Sequence, residues 1–202
     1  MKRLAIIGAG DLGQQIAYHA TDSGYQVVGF FDDFLQDALG KISDVIHSYE
    51  NGAFDELMIG IGYKHMDIRA TLFEKFHRSI PFAKIIHSSA YVDPSCQIGE
   101  GTLIYPGCVL DMNVVVGQNV SLNVSCTIAH DSEVGSHSML SPGVVVSGFV
   151  KIDRQVNLGT GTKVIDNIEI SKGVRTGAGA VVTENLSQPG LYVGVPARFK
   201  KP

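Results

Sequence analysis

Residues 116–146 read VGQNVSLNVSCTIAHDSEVGSHSMLSPGVVV. Within them Val116, Leu122, Ile128, Val134, Leu140 and Val146 stand six residues apart. The spacing extends back through Leu110, Ile104 and Ile98 to Val92, and forward through Ile152, Leu158, Val164 and Ile170 to Val182, with Thr176 the one departure. A period of six is neither the 3.6 of a helix nor the alternation of a strand. It is the pattern of a parallel β-helix, in which each hexad makes one flat face of a coil and three hexads close a turn. One hexad cannot bury its own face, so stability must come from stacked neighbours. No insertion interrupts the hexads, so any active site here is expected to be built from turn residues, between subunits. Gly99, Gly117, Gly135, Gly159 and Gly177 each follow a repeat position, where the chain is expected to bend between faces.

The three cysteines, Cys96, Cys108 and Cys126, each fall four residues after a repeat aliphatic, a place shared with Val114, Val120, Val144, Val150, Val156 and Val174. That place is expected to point inward. Cys108 and Cys126 should stack about 4.8 Å apart, as neighbouring strands do. A disulfide between them is sterically conceivable, but the reading favours reduced thiols packed as small hydrophobes. No metal-ligand spacing is present, so no metal is expected.

Residues 1 to about 80 follow a different grammar. Lys2 to Ile7 reads as a buried strand, Leu12 to Ala20 as a helix, Gln26 to Phe31 as a second strand and Leu57 to Ile61 as a third. Met66, Ala70, Phe73 and Phe76 have helical spacing, which predicts a helix from Met66 to His77. Strands alternating with helices predict a small parallel α/β sheet. The stretch 35–55 is ambiguous. Pro81 and Ile86-His87-Ser88-Ser89-Ala90 mark the junction, giving domains at 1–85 and 86–202. The tail beyond Leu186, with Pro189-Gly190 and Pro196, is expected to leave the β-helix and end irregularly.

Composition narrows the classes of function. With 202 residues, 45% hydrophobic and 18% charged, the chain is expected to be a soluble globular protein. A net charge of -4 argues against nucleic acid or an anionic membrane as the main partner. The apolar run Leu4 to Ile7 is too short for a membrane span or a signal-peptide core, so a cytoplasmic protein without membrane insertion is expected.

Two constellations carry chemistry. Gly8-x-Gly10-x-x-Gly13 lies between a predicted strand and a predicted helix, with Asp32 and Asp33 about twenty residues on. The glycines allow a phosphate to approach the backbone at a helix N-terminus. Half of a doubly wound sheet suits a mononucleotide, such as a nucleotide-sugar, better than NAD. The plainer alternative is a tight strand-to-helix turn and nothing more. The second constellation is Asn123 with His130-Asp131. His130 lies two residues after Ile128, in a turn, where an imidazole can serve as general base with a carboxylate beside it. His137, one hexad on, could assist. His87 belongs to the junction, and His19, His47, His65 and His77 are expected at the surface without a role.

The uninterrupted hexads, the Gly194-Val195-Pro196-Ala197-Arg198 ending, the Gly-rich start, Phe31-Asp32-Asp33, Ile59-Gly60-Ile61-Gly62, Ile86-His87-Ser88-Ser89-Ala90 and Ala129-His130-Asp131 together resemble one family. It is the bacterial sugar O-/N-acyltransferases of the left-handed β-helix, hexapeptide-repeat superfamily, which includes nucleotide-amino-sugar N-acetyltransferases and sialic-acid O-acetyltransferases. The resemblance implies a homotrimer with acetyl-CoA bound between adjacent β-helices and a nucleotide-sugar held by the N-terminal domain. It implies His130 as general base with Asp131 as its partner, where relatives often have Glu, and Asn123 as an active-site asparagine. Gly148 matches the glycine whose amide faces the thioester carbonyl, and Thr160 and Ala178 match backbone contacts to the pantetheine arm. Gly8, Gly10, Asp32 and Asp33 match the nucleotide end. Many relatives carry Ser-Gly-His-Gly where this chain has Gly10-Asp11-Leu12-Gly13, and Tyr63-Lys64-His65-Met66 replaces an Asn-rich stretch, so the sugar is not carried over. The activity implied is acetyl transfer from acetyl-CoA to the amine of a nucleotide-linked deoxy-amino sugar, by direct attack on the thioester. The alternatives are O-acetylation of sialic acid or another sugar hydroxyl, and a non-catalytic nucleotide-sugar-binding subunit.

Overall fold

The computed structural model describes residues 1–201 and divides the chain into two compact units, with the boundary between Ser88 and Ser89. In the first unit, strand β1 (Lys2–Ile7) lies between β2 (Tyr25–Phe31) and β3 (Glu56–Ile59), all parallel. Helix α1 (Asp11–Ala20) connects β1 to β2 and buries Gly13, Ile16 and Ala20. The ambiguous stretch holds a short 3-10 turn, Ile42–Asp44, and a six-residue helix α2 (Val45–Glu50); six residues are too few for a helical period to show. Helix α3 (Met66–Phe76) buries Arg69, Phe73 and Phe76, while the predicted Met66 and Ala70 are only half-buried, at the border of the inner stripe. Ala5, Ile7, Phe31, Val45, Phe54, Leu57, Ile59, Phe73, Phe76, Ile80 and Phe82 form the core.

The second unit is a stack of parallel coils that fits the left-handed β-helix. Each coil offers one strand, two residues long or three at Val174–Thr176, to each of three faces. Ser121–Leu122 lies on face 1, Thr127–Ile128 on face 2 and Glu133–Val134 on face 3. Each strand pairs with the strand 18 residues away, as Leu122 does with Ile104 and Leu140. The repeat positions point inward. From Ile104 to Val182 none is more than 5% exposed, and Val92 and Ile98 in the first coil are half-buried. Thr176, the departure, is accommodated by pairing: its hydroxyl accepts the Gly159 amide at 2.9 Å and meets the Thr162 hydroxyl at 2.7 Å.

The position four residues after each repeat aliphatic is the second inward column. Where it is polar, the side chain joins neighbouring coils. Ser132 Oγ accepts the Val150 amide at 3.1 Å and donates to the Ser147 carbonyl at 2.9 Å. Ser138 and Thr102 make the equivalent pairs of bonds. Cys108 and Cys126 are completely buried in this column, and their thiols donate to the Asn123 and Ser141 carbonyls at 3.1 and 3.3 Å. The Cys108 thiol beside it, together with burial, pushes the Cys126 thiol up, which keeps it protonated and unreactive.

Two features of the corners explain the remaining pattern. The glycines after the repeat positions are there for close stacking rather than for bending. A Cβ on Gly99, Gly135 or Gly159 would stand 2.5 Å from backbone of the adjacent coil, and none of the three has a positive φ. The bend falls two residues later. Every sixth residue from Gly101 to Gly179 is left-handed, six glycines and eight others, with φ between 54° and 75°. Asn113, Asn119, Asp131, Asn167 and the glycines suit that region.

The tail does not end irregularly. Gly190–Val193 pairs in parallel with Val174–Thr176 and then antiparallel with Arg198–Phe199, burying Tyr192 and Ala197. The open edge of face 1 offers unpaired backbone groups, and the tail satisfies them. Pro189 and Pro196 sit beside the strands, outside the paired residues.

Stacking and bending glycines should respond differently to substitution. Gly135→Ala forces a methyl against the Asp153 backbone and should cost about 1–3 kcal/mol, lowering Tm by roughly 3–10 °C. Gly143, at φ 69° with open space around it, should accept Asn with Tm within about 2 °C. Thermal unfolding of the two variants checks this.

Candidate active site

The corner between faces 2 and 3 carries the titratable cluster. Ala129, His130, Asp131 and Ser132 turn the chain from Ile128 to Glu133, and Asp131 takes the left-handed place, with φ 56°. This turn swings its carboxylate beside the preceding ring, and His130 Nδ1 lies 2.9 Å from Asp131 Oδ2. The other carboxylate oxygen accepts the Asn113 side-chain amide at 3.0 Å, from one coil below. The His130 hydrogen bond, reinforced by that of Asn113, holds the Asp131 carboxyl below the usual carboxylate range. Asp131 is therefore an anion at neutral pH and can only accept. In the neutral imidazole the hydrogen then sits on Nδ1, and Nε2 carries the lone pair a general base requires.

Gly148 lies one coil above His130. A Cβ on Gly148 would stand 2.8 Å from His130 Cε1 and 2.9 Å from Nε2. The absence of a side chain there is what lets the imidazole lie across the corner. Phe149 follows in the left-handed place, with its ring edge-on to that of His130 at 5.1 Å between centroids. The His130 side chain is 39% exposed. It stands on an outer corner of the coil.

The remaining predicted residues occupy other corners. Asn123, Thr160 and Ala178 share the corner between faces 1 and 2, where the Asn123 side chain accepts the Val124 amide at 2.7 Å. Within one chain they lie across a full face from His130, so a single copy does not assemble the whole predicted set. His137 sits on the third corner, 7% exposed, with its Nδ1 3.0 Å from the Asn119 amide. It is an internal link between coils and not a neighbour of His130. Asn113 and Phe149 were missed in the sequence. The signal was available, because both lie 18 residues from Asp131 and residues one coil apart share a corner.

In the first unit the Gly-rich turn is built for close approach. Gly8 has φ 94°, and a Cβ on Gly13 would stand 2.0 Å from the Gly8 carbonyl oxygen. Gly60 at the end of β3 is pressed against Gly13 in the same way, its Cβ position 2.7 Å from Gly13 Cα. Gly10 caps α1 and has open space above it. Asp32 braces this turn: one carboxylate oxygen accepts the Ala9 amide at 2.9 Å, and the other accepts those of Phe34 and Leu35. These bonds, that of Ala9 foremost, hold its carboxyl below the ordinary range. Asp33 accepts the Ile42 amide at 3.0 Å. Gly8, Gly10 and Asp32 thus form one cluster at the carboxyl ends of β1 and β2, the usual ligand edge of a parallel sheet. Among the described residues there is no metal-binding group of His, Cys, Asp and Glu, and no helix long and apolar enough to cross a membrane.

Comparison with known proteins agrees with the resemblance drawn from the sequence. The PglD N-terminal domain family matches residues 3–76. No curated protein sequence matches the chain. Among solved structures, a mutant of perosamine N-acetyltransferase from Caulobacter crescentus, in complex with CoA and GDP-perosamine, superposes with a TM-score of 0.94 at 25% identity, covering 100% of this chain and 98% of that one. The acetyltransferase domain of PglB from Neisseria gonorrhoeae FA1090, in complex with acetyl coenzyme A, gives 0.90 at 27% identity over 98% and 99% of the two chains. WeeI from Acinetobacter baumannii AYE, at 22% identity and a TM-score of 0.86, shares the fold. The chain thus matches the PglD N-terminal domain family over residues 3–76, and over its whole length it is similar in structure to these acetyltransferases.

Proposed function

We propose that the protein transfers the acetyl group of acetyl-CoA to the amine of a nucleotide-linked amino sugar. The observation that carries this is the full-length likeness to an N-acetyltransferase bound to CoA and GDP-perosamine, in a chain whose own corner holds the His130 imidazole between Asp131 and Gly148. The amine attacks the thioester carbonyl, and a tetrahedral oxyanion forms. His130 Nε2 takes the proton the amine loses. The C–S bond then breaks, and the proton goes on to the CoA thiolate. Proton transfer of this kind contributes about 10²–10⁴-fold. The Gly148 amide stabilises the oxyanion, worth about 3 kcal/mol for one such donor in other acyl-transfer enzymes. The buried cysteines play no part, and no acyl-enzyme forms.

The division of the predicted residues between two corners supports a homotrimer. In that assembly the corner of one copy with Asn123, Thr160 and Ala178 faces the His130 corner of the next, and acetyl-CoA runs between them. Gly8 and Gly10 hold the nucleotide end of the acceptor, on a turn braced by Asp32 and Asp33. The reaction belongs in the cytoplasm, where acetyl-CoA and nucleotide-sugars are available.

Free-thiol release from acetyl-CoA, with GDP-, UDP- and dTDP-amino sugars and free sialic acid as acceptors, tests the reading. Turnover on a nucleotide-amino sugar is expected. Turnover on sialic acid alone would replace it with O-acetylation, and acetyl-CoA binding without turnover on any acceptor would favour a non-catalytic subunit. His130→Ala should lower kcat about 10²–10⁴-fold with Tm close to the parent. Gly148→Ala should displace the imidazole and lower kcat at least about tenfold while the coils still stack, since the clash is with a side chain and not with backbone.

A further inference from the structure

Among the left-handed corner residues, the other non-glycine side chains are Asn, Ser, Asp, Gln and His, and Phe149 is the one hydrocarbon. At φ 58° its backbone lies where a bulky L-residue is strained. Within one copy burial does not compensate, for the residue is 53% exposed. A strained conformation that persists without a packing reward points to a use for the side chain.

That use lies one coil below. The Phe149 ring meets the His130 ring edge-on, with centroids 5.1 Å apart and planes at 87°, an arrangement aromatic pairs favour. The Phe149 amide donates to the His130 carbonyl at 3.2 Å, the bond that Asp131 makes to Met112 and Gln155 to Ser136 at their own corners, so the coil stacking itself sets the ring beside the imidazole. Around His130, Asp131 bonds Nδ1, Gly148 leaves room beside Cε1 and Nε2, and the phenyl ring flanks the imidazole. Asp131 fixes which nitrogen carries the hydrogen. A single hydrogen bond still lets the ring tilt about that contact. The phenyl edge contact removes the tilt.

We infer that Phe149 is a positioning residue for His130, retained against the conformational preference of its own backbone to hold the imidazole over Gly148. The inference rests on the reading of His130 as the base, and it predicts that stability and activity move in opposite directions. Phe149→Asn puts a residue tolerant of the left-handed region in the same place. In the full-length protein it should raise Tm by about 2–4 °C. It should also lower kcat roughly tenfold to a hundredfold, the scale set by a misplaced catalytic group, and leave KM for acetyl-CoA within about twofold. Phe149→Tyr, which keeps the ring, should retain kcat within about threefold. ¹⁵N-histidine NMR reads the ring directly, with His130 assigned by its loss in His130→Ala. The parent should show one sharp His130 signal with hydrogen on Nδ1, and Phe149→Asn the same tautomer with the His130 signal shifted and broadened by exchange between ring tilts. Unchanged kcat and an unchanged His130 signal in Phe149→Asn, or a fall in its Tm, would overturn the inference. Full turnover in His130→Ala would instead remove the base assignment, and the NMR comparison would still decide whether Phe149 holds the ring.

Discussion

The close stacking of one 18-residue coil on the next is the constraint from which the rest of the second unit follows. Strands two residues long cannot stand alone. They persist because each amide reaches the coil above, as Thr127 does to Val144 and Glu133 to Val150, both at 2.9 Å. That spacing leaves room for one aliphatic residue per face inside the coil. It leaves none for a Cβ at Gly99, Gly135 or Gly159. The small hydroxyls and thiols of the second inward column answer the same demand, since a buried corner carbonyl needs a donor and only a short side chain fits beside it.

The same stacking builds the candidate site. Residues 18 apart are vertical neighbours, so Asn113, Asp131 and Phe149 form one file and His130 and Gly148 another. The files lie side by side, and the imidazole, its carboxylate, the cleared backbone and the phenyl ring meet without a loop or a lid. A corner is also an outer edge. The residues that would complete the chemistry, Asn123, Thr160 and Ala178, occupy another edge of the same prism, which is why the proposed assembly brings the two edges together from different copies.

The first unit solves a different problem by the same economy. Gly8, Gly13 and Gly60 allow strand ends and a helix to approach within what would be a Cβ distance, and Asp32 spends both carboxylate oxygens on amides of the surrounding loops. Its acidity is therefore a property of the turn's own hydrogen bonds. A carboxylate read from the sequence as a ligand group is, in the folded chain, also the brace of the turn that would receive the ligand.

Much of this was legible in the chain. The period of six determined the β-helix, its inward column and its freedom from insertions, because burial of every sixth residue is a local demand that each hexad states again. The Gly-rich turn between a strand and a helix, and the adjacency of His130 and Asp131, were legible for the same reason. Tertiary structure alone decided the rest. It showed α2 and the paired tail, whose signals are too short or depend on a free sheet edge. It separated Asn123 and His137 from His130, and joined Asn113, Gly148 and Phe149 to it. The physical reason is closure. A repeat fixes what each hexad does, but which hexads share a corner is set only when three of them close a coil and the next coil is laid on top.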